Sequence, residues 1–303
     1  MLFRQSGRSL VVHTPAKLNL FLEVLGKRPD GFHELETLMV SVGLYDTLSF
    51  TEEPNRTIQL RCFDAGYTSR TDVTDDYTIP GGRNNLVVQA AQLLREQTGV
   101  DRGIHIDLVK RIPVASGLAG GSSDAAATLA ALNRLWDLKL TTVELQDLAS
   151  RLGSDVGFFL APMAAAVCRG RGERIEPIQL SRCLNFVIAR PRTGLSTATV
   201  YRHCRPSENP LRADDLIDSL NNASLACAAG LLCNSLQTPA EELNHEVKQL
   251  KSYFSSQSVL GHMMSGSGTA YFGLCANRRQ AESVAARLRA KRVGRVYVAQ
   301  SRP

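Results

Sequence analysis

Apolar and polar residues alternate over 9–26 in two stretches with Thr14-Pro15 between them, the two-residue period of a half-buried strand. Two strands, or one bent strand, fit that pattern. Asp30-Gly31 marks a turn before the next apolar run, Leu35 to Val42. Thr47 to Glu52 and Thr57 to Phe63 read as further strands, and the polar stretch 64–82 reads as a loop. From Asn85 to Gln97 the spacing becomes helical, with Gly99 as its C-cap. Ile104 to Val109 alternates as a strand. A glycine-rich segment, Pro113 to Gly121, then runs directly into an alanine-rich helix, Ser122 to Leu135. Thr141-x-x-Glu144 is a capping box that starts another helix near Thr142. Met163 to Cys168 and Asn185 to Ala189 read as short apolar strands.

Beyond a boundary region at Pro191 to Ser196, helical spacing recurs around 211–219, 224–233 and 239–254. A strand–glycine turn–strand unit over 260–275, a helix over 278–291 and a last strand over 295–299 complete the pattern. This mixture predicts the α+β class in two domains, 1–180 and 181–303. A length of 303 residues fits two domains. A hydrophobic content of 44% excludes a disordered chain. No apolar run reaches the roughly 18 residues of a membrane-spanning helix. Met1 to Leu10 carries two arginines and no apolar core, so neither a secretory signal nor a transit segment is read there. A cytoplasmic protein with no membrane partner is expected.

Net charge is +6, which is compatible with nucleic acid, an acidic membrane or an anionic substrate. The basic residues are scattered, which argues against a nucleic-acid partner and for a small anionic one. Seven cysteines at 62, 168, 183, 204, 227, 233 and 275 include no C-x-x-C pair, and the six histidines are dispersed. Free, mostly buried thiols in a reduced compartment are expected, with no zinc site.

The strongest chemical signal is Pro113-Val114-Ala115-Ser116-Gly117-Leu118-Ala119-Gly120-Gly121-Ser122-Ser123-Asp124. Glycine lets a ligand approach the main chain, and the helix that follows offers unpaired N–H groups and a partial positive charge. Together these make an anion site, for which a phosphate chain is the usual occupant. Ser122 and Ser123 could donate hydroxyls to phosphate or help hold Mg²⁺. No Gly-Lys-Ser/Thr follows the glycines, so this is not a Walker A loop, and G-x-G-x-x-G is absent too.

The run resembles the phosphate loop of the GHMP kinase superfamily, whose members phosphorylate small molecules with ATP. Two further superfamily signals appear in the expected order, Pro15-Ala16-Lys17-Leu18-Asn19-Leu20 and Met264-Ser265-Gly266-Ser267-Gly268-Thr269. Within the superfamily, Lys17 to Leu22 followed by Lys27-Arg28-Pro29-Asp30-Gly31-Phe32-His33-Glu34-Leu35 resembles the 4-diphosphocytidyl-2-C-methyl-D-erythritol kinase family. Leu152 to Leu160, Gly170-Arg171-Gly172-Glu173 and Pro191 to Thr197 fit that family as well, so the resemblance spans roughly 10 to 300.

The resemblance implies an N-terminal ribosomal-protein-S5-like domain and a C-terminal ferredoxin-like domain. It implies transfer of a phosphoryl group from ATP, with Mg²⁺, to the 2-hydroxyl of the cytidylated methylerythritol on the non-mevalonate route to isopentenyl diphosphate. Asp155 is then the base and Lys17 the neighbouring cation. Asn85 and the loop Pro113, Val114, Ala115, Ser116, Gly117, Leu118, Ala119, Gly120, Gly121, Ser122 and Ser123 hold ATP, with Ser123 the candidate Mg²⁺ contact. Asn19, Phe32, His33, Thr197, Tyr201, Gly266, Ser267 and Gly268 hold the acceptor. Asn85 reads almost equally as a plain N-cap, Asp155 also as a turn residue, and Phe32 also as a core residue. One departure stands out: Asn234-Ser235-Leu236-Gln237 occupies the place where the family commonly has Asn-Asp-Leu-Glu, with both acids lost. A monomer and a homodimer both fit. Competing readings are a homoserine-, mevalonate- or diphosphomevalonate-type kinase, and a nucleotide-binding protein without catalysis.

Overall fold

The structure is a computed structural model and describes residues 1–6, 9–65, 82–161 and 164–301. Strand β1 (Leu2–Ser6) pairs antiparallel with β2 (Ser9–Lys27), so the alternation over 9–26 is one long strand. Its partner β3 (His33–Glu53) likewise merges the two expected strands at 35–42 and 47–52. The β2–β3 register slips between Pro15 and Ala16, where Pro15 has no N–H to donate, and again between Asn19 and Phe21. These slips bend the ribbon and bring Lys17 and Asn19 inside the molecule. Strand β4 (Ile58–Asp64) lies parallel to β5 (Gly103–Lys110), and β5 pairs with the far half of β3.

Helix α1 (Leu86–Thr98) is capped by the Asn85 side chain and ends at Gly99 in the left-handed region. Helices α2 (Gly120–Leu135), α3 (Thr142–Leu152) and α4 (Val156–Leu160) follow, the capping box at Thr141 and Glu144 being formed. They cover one face of the sheet through Leu94, Leu129 and Phe158 against Phe50 and Ile106. Strands β6 (Ala165–Gly170) and β7 (Arg174–Ile178) extend the sheet along the near half of β3. The loop expected at 64–82 falls mostly outside the described residues, as does Met163 at the start of the expected strand.

The second half contains β8 (Asn185–Arg190), α5 (Thr197–His203), α6 (Ala213–Asn222), α7 (Leu225–Ala229) and β9 (Cys233–Asn234). Then come α8 (Gln237–Leu243), α9 (His245–Ser255), β10 (Gly261–Met264), β11 (Tyr271–Cys275), α10 (Arg278–Ala290) and β12 (Arg295–Gln300). The helix expected over 239–254 is two helices. Asn244 takes extended backbone and caps α9 by accepting from Glu246 and Val247 N–H. A second sheet runs β10-β11-β8-β12, antiparallel throughout.

Strand β9 crosses over to pair with β2, and a shared core packs Leu18 and Leu38 of the first sheet with Phe186, Ile188 and Phe272 of the second. All seven cysteines are free, but only Cys168, Cys204 and Cys275 are buried; Cys183 and Cys227 are exposed, so burial claims fewer thiols than composition suggested. No helix among the described residues is long and apolar enough to cross a membrane.

Candidate active site

The glycine-rich segment leaves β5 and enters α2 through left-handed backbone at Ala115, Gly117 and Ala119. Ala119 stands at the N-cap of α2 and offers no capping side chain, so the helix's first N–H groups have no capping side chain at Ala119. A Cβ on Gly117 would overlap the carbonyl oxygen of Ser265, whereas one on Gly121 would meet only Leu86 Cδ1, at 3.5 Å. Gly117 thus serves close approach of two chain segments, and Gly121 keeps main chain open to the cavity. Ser265 Oγ donates to Gly117 O at 3.1 Å, and Ala270 N–H donates to Ser116 O at 2.9 Å. The three separated motifs therefore meet, since Lys17 N–H also donates to Leu118 O, at 3.1 Å.

Lys17 is 3% exposed, and its Nζ lies 3.5 Å from Asp155 Oδ2 and donates to Asn19 Oδ1. Asn19 is held in turn by donating Nδ2–H to Thr37 Oγ1 at 2.8 Å. Asp155 occupies the N-cap place of α4 but makes no capping bond, and its side chain is 30% exposed. The carboxylate is therefore free of the structural duty its position suggests, and it faces the cavity beside a buried cation.

Beyond this pair lies an aromatic wall. The rings of His33 and Tyr201 sit 5.1 Å apart, tilted by 33°. Burial, then the charge of Lys27, lowers the His33 pKa, which favours the neutral imidazole. Burial, then the charge of Asp155, raises the Tyr201 pKa, so its hydroxyl keeps its proton. Phe32 is 51% exposed, which sets aside a core role, and the Arg171 guanidinium carbon lies 4.7 Å from its ring centre. Thr197 Oγ1 and Ser267 Oγ are 2.9 Å apart and tie α5 to the glycine turn at 266–268.

A cavity of about 900 Å³ connects the phosphate loop to this wall across Lys17 and Asp155. It collects Lys17, Asp155, Asn19, Asn85, Phe32, His33, Thr197, Tyr201, Gly266, Ser267 and Gly268, and the loop residues other than Leu118 and Ser123. Leu118 is fully buried in the shared core and contributes only its main chain. Ser123 needs a correction as the Mg²⁺ contact. It is fully buried, its hydroxyl donates to Pro15 O at 2.6 Å and it also bonds Thr14 Oγ1, so it turns away from the cavity. Asn85 caps α1 by accepting from Val87 N–H at 2.9 Å, and it also lines the cavity.

Arg171, Ser154 and Lys110 also line the cavity and were not singled out from the sequence. Arg171 lay within Gly170 to Glu173, but nothing in that run indicated that it would meet Phe32. The segment Asn234 to Gln237 works as a brace. Asn234 donates Nδ2–H to Met264 O at 2.8 Å and to Gly266 O at 2.9 Å, Ser235 Oγ accepts from Val24 N–H at 3.1 Å, and Gln237 Oε1 accepts from Met264 N–H at 3.0 Å. Among the described residues no group of three or more His, Cys, Asp or Glu could hold a metal ion.

Two family descriptions match the chain, GHMP kinases N terminal domain over residues 85–169 and GHMP kinases C terminal over 211–293. A 4-diphosphocytidyl-2-C-methyl-D-erythritol kinase of Pelotomaculum thermopropionicum is 42% identical over 276 residues, covering 90% of this chain and 92% of that one. One of Bacillus velezensis is 41% identical, covering 86% of each chain. A crystal structure of a 4-(cytidine 5'-diphospho)-2C-methyl-D-erythritol kinase superposes with a TM-score of 0.76 at 34% identity, covering 97% of this chain and 99% of that one. Homoserine kinase from Cytophaga hutchinsonii reaches a TM-score of 0.73 at 17% identity over 100% of this chain and 97% of that one, a likeness of fold.

Proposed function

Because the chain belongs to the 4-diphosphocytidyl-2-C-methyl-D-erythritol kinase family of GHMP kinases, we propose that Asp155 and Lys17 carry its phosphoryl transfer. The enzyme moves the γ-phosphoryl group of ATP to the 2-hydroxyl of 4-diphosphocytidyl-2-C-methyl-D-erythritol, on the methylerythritol phosphate route to isoprenoids. One observation carries the residue assignment: an uncapped carboxylate sits 3.5 Å from a buried ammonium, midway between an anion loop and an aromatic wall.

The 2-hydroxyl is a tertiary alcohol of high pKa, so its proton must leave as the new bond forms. Asp155 accepts that proton while the oxygen attacks the γ-phosphorus. The bond from the γ-phosphorus to the β–γ bridging oxygen breaks, and ADP departs with that electron pair. Lys17 pairs with Asp155 at 3.5 Å and stabilises negative charge on the phosphoryl group in transit. Positioning and electrostatics supply the catalysis, with no covalent intermediate. Main-chain N–H groups around Gly120 and Gly121 hold the phosphates. Mg²⁺ bound with the nucleotide would offset its phosphate charge, and Ser122, half-buried on the cavity wall, is the loop hydroxyl that would hold it.

At the other end, Phe32 and Tyr201 face the cytosine and His33 hydrogen-bonds its edge as a neutral ring. Arg171 supplies a cation for the diphosphate, and Asn19, Thr197 and the turn at 266–268 meet the erythritol end. We assign the domains as 1–180 and 181–303, a division supported by the change of sheet between Ile178 and Asn185. One chain supplies all these walls, so the catalytic unit is one copy, in a monomer or a homodimer. Free thiols and ATP dependence support a cytoplasmic site.

The test is ADP release with Mg-ATP and each of three acceptors: the cytidylated methylerythritol, mevalonate and homoserine. Turnover with the first acceptor only is expected. Turnover with either of the others would move the protein elsewhere among the GHMP kinases and remove the roles given to Phe32 and His33.

A further inference from the structure

Beneath the phosphate loop lies a buried charge cluster that the transfer mechanism does not use. Lys110, the last residue of β5, is 5% exposed; Asp46 of β3 is fully buried and Asp124 of α2 is 2% exposed. The Lys110 ammonium bonds Asp46 Oδ2 and, at 2.8 Å, Asp124 Oδ2. The other oxygen of Asp46 accepts from two main-chain groups where the loop begins, Arg111 N–H at 2.6 Å and Ile112 N–H at 2.9 Å. Asp124 sits in the first turns of α2, where the loop ends. The loop is therefore pinned at both ends, and one ammonium joins the two pins.

Gly120 fits the same arrangement. A Cβ there would stand 2.9 Å from Lys110 Nζ and 2.8 Å from Ile112 Cγ2. This motif glycine makes room for the lysine as well as for a ligand. Burial drives the Asp124 pKa well above its ordinary value, with the Lys110 ammonium acting in the opposite direction. Burial opposes the charge on Lys110, but Asp124 and Asp46 outweigh it and hold the ammonium charged.

We propose that Lys110 is a positioning residue for ATP, which clamps the start of the phosphate loop to the N-terminal part of α2 at Asp124 and so fixes the spacing of the phosphate-binding N–H groups. This rests on the kinase reading above. A cluster with a merely structural role would change folded fraction but not the affinity of the folded protein for one substrate.

The experiment compares Lys110→Met, Asp124→Ala and Asp124→Asn with the unsubstituted protein. KM for ATP and for the cytidylated acceptor is read from turnover, ADP affinity from titration calorimetry, and folding from thermal melting. The calorimetric arm needs no acceptor, so failure of the acceptor assignment shows as absent turnover in the unsubstituted protein while ADP binding still tests the clamp. Lys110→Met should weaken ADP and raise KM for ATP by about ten-fold, leaving KM for the acceptor within about two-fold. Asp124→Ala, which removes one arm, should move ATP in the same direction by about five-fold, and Asp124→Asn, which keeps an acceptor for Lys110, should stay within about two-fold. Should Lys110→Met fail to fold, Asp124→Ala decides. Unchanged ADP affinity in a folded Lys110→Met or Asp124→Ala protein, or an equal rise in both KM values, would overturn the proposal.

Discussion

The two ends of the cavity are made in different ways. At the nucleotide end one contiguous run, 113–122, presents main chain, and its geometry is set from beneath by Lys110, Asp46 and Asp124 and from the side by Ser265. At the acceptor end, side chains come from five places: Asn19 on β2, Phe32 and His33 at the start of β3, Arg171 after β6, Thr197 and Tyr201 on α5, and Ser267 in the glycine turn. Phosphate is common to every nucleotide and is met by N–H groups that any sequence possesses, so this end depends on backbone shape. The cytidylated acceptor is particular and must be read by side chains. Phe32 is accordingly half exposed, whereas Ser116 beside the loop glycines is 2% exposed. The first end tolerates few backbone changes, and the second can be altered one side chain at a time.

The sharpest break in this comparison lies where the ends meet. Lys17→Met should cut kcat by about two to three powers of ten while the aromatic wall still binds acceptor, as single-turnover assays can show. A kcat within ten-fold would make the lysine a packing residue. Next comes Gly117→Ala, which forces a methyl into Ser265 at positive φ and should cost at least about 2 kcal/mol in urea unfolding. By contrast Phe32→Ala should leave stability and KM for ATP unchanged and raise the acceptor KM by about ten-fold, the loss of one stacked base. Gly121→Ala has room for its methyl against Leu86, so it should fold normally and weaken ATP by about five-fold.

The smallest expected effect is a pH dependence at the acceptor end. The His33 pKa is lowered on folding, so the folded state binds fewer protons there than the unfolded chain. Its contribution to stability is complete above the unfolded pKa of about 6.5 and falls away as pH drops through the lower folded value. Melting temperature from pH 5 to 8 should therefore fall more steeply toward acid in the unsubstituted protein than in His33→Gln. Parallel curves would mean that His33 is not held neutral.

What was legible in the sequence follows the same division. The loop 113–122, the caps at Asn85 and Thr141 and the strand periods all depend on neighbours in the chain, and these were readable locally. The merging of 35–42 and 47–52 into one strand was not, because it depends on partners β2, β5 and β6 rather than on local period. The break at Asn244 was hidden because apolar spacing continues across it, and only the capping of Glu246 and Val247 separates the helices. Ser123 looked like a phosphate ligand from its neighbours; helix rotation turned it onto Pro15 instead. Arg171 and the Lys110 cluster needed contacts across the fold, of which a single sequence carries no trace.

The account stands most directly on Asp155 as a base and not as a binding group. The decisive measurement is one protein, Asp155→Asn, with nucleotide and acceptor affinities taken by calorimetry and phosphoryl transfer taken in a single turnover. The account predicts both affinities within about three-fold of the unsubstituted protein and transfer slower by about two to four powers of ten. Transfer within ten-fold, or slow transfer explained by lost binding of either substrate, would contradict it.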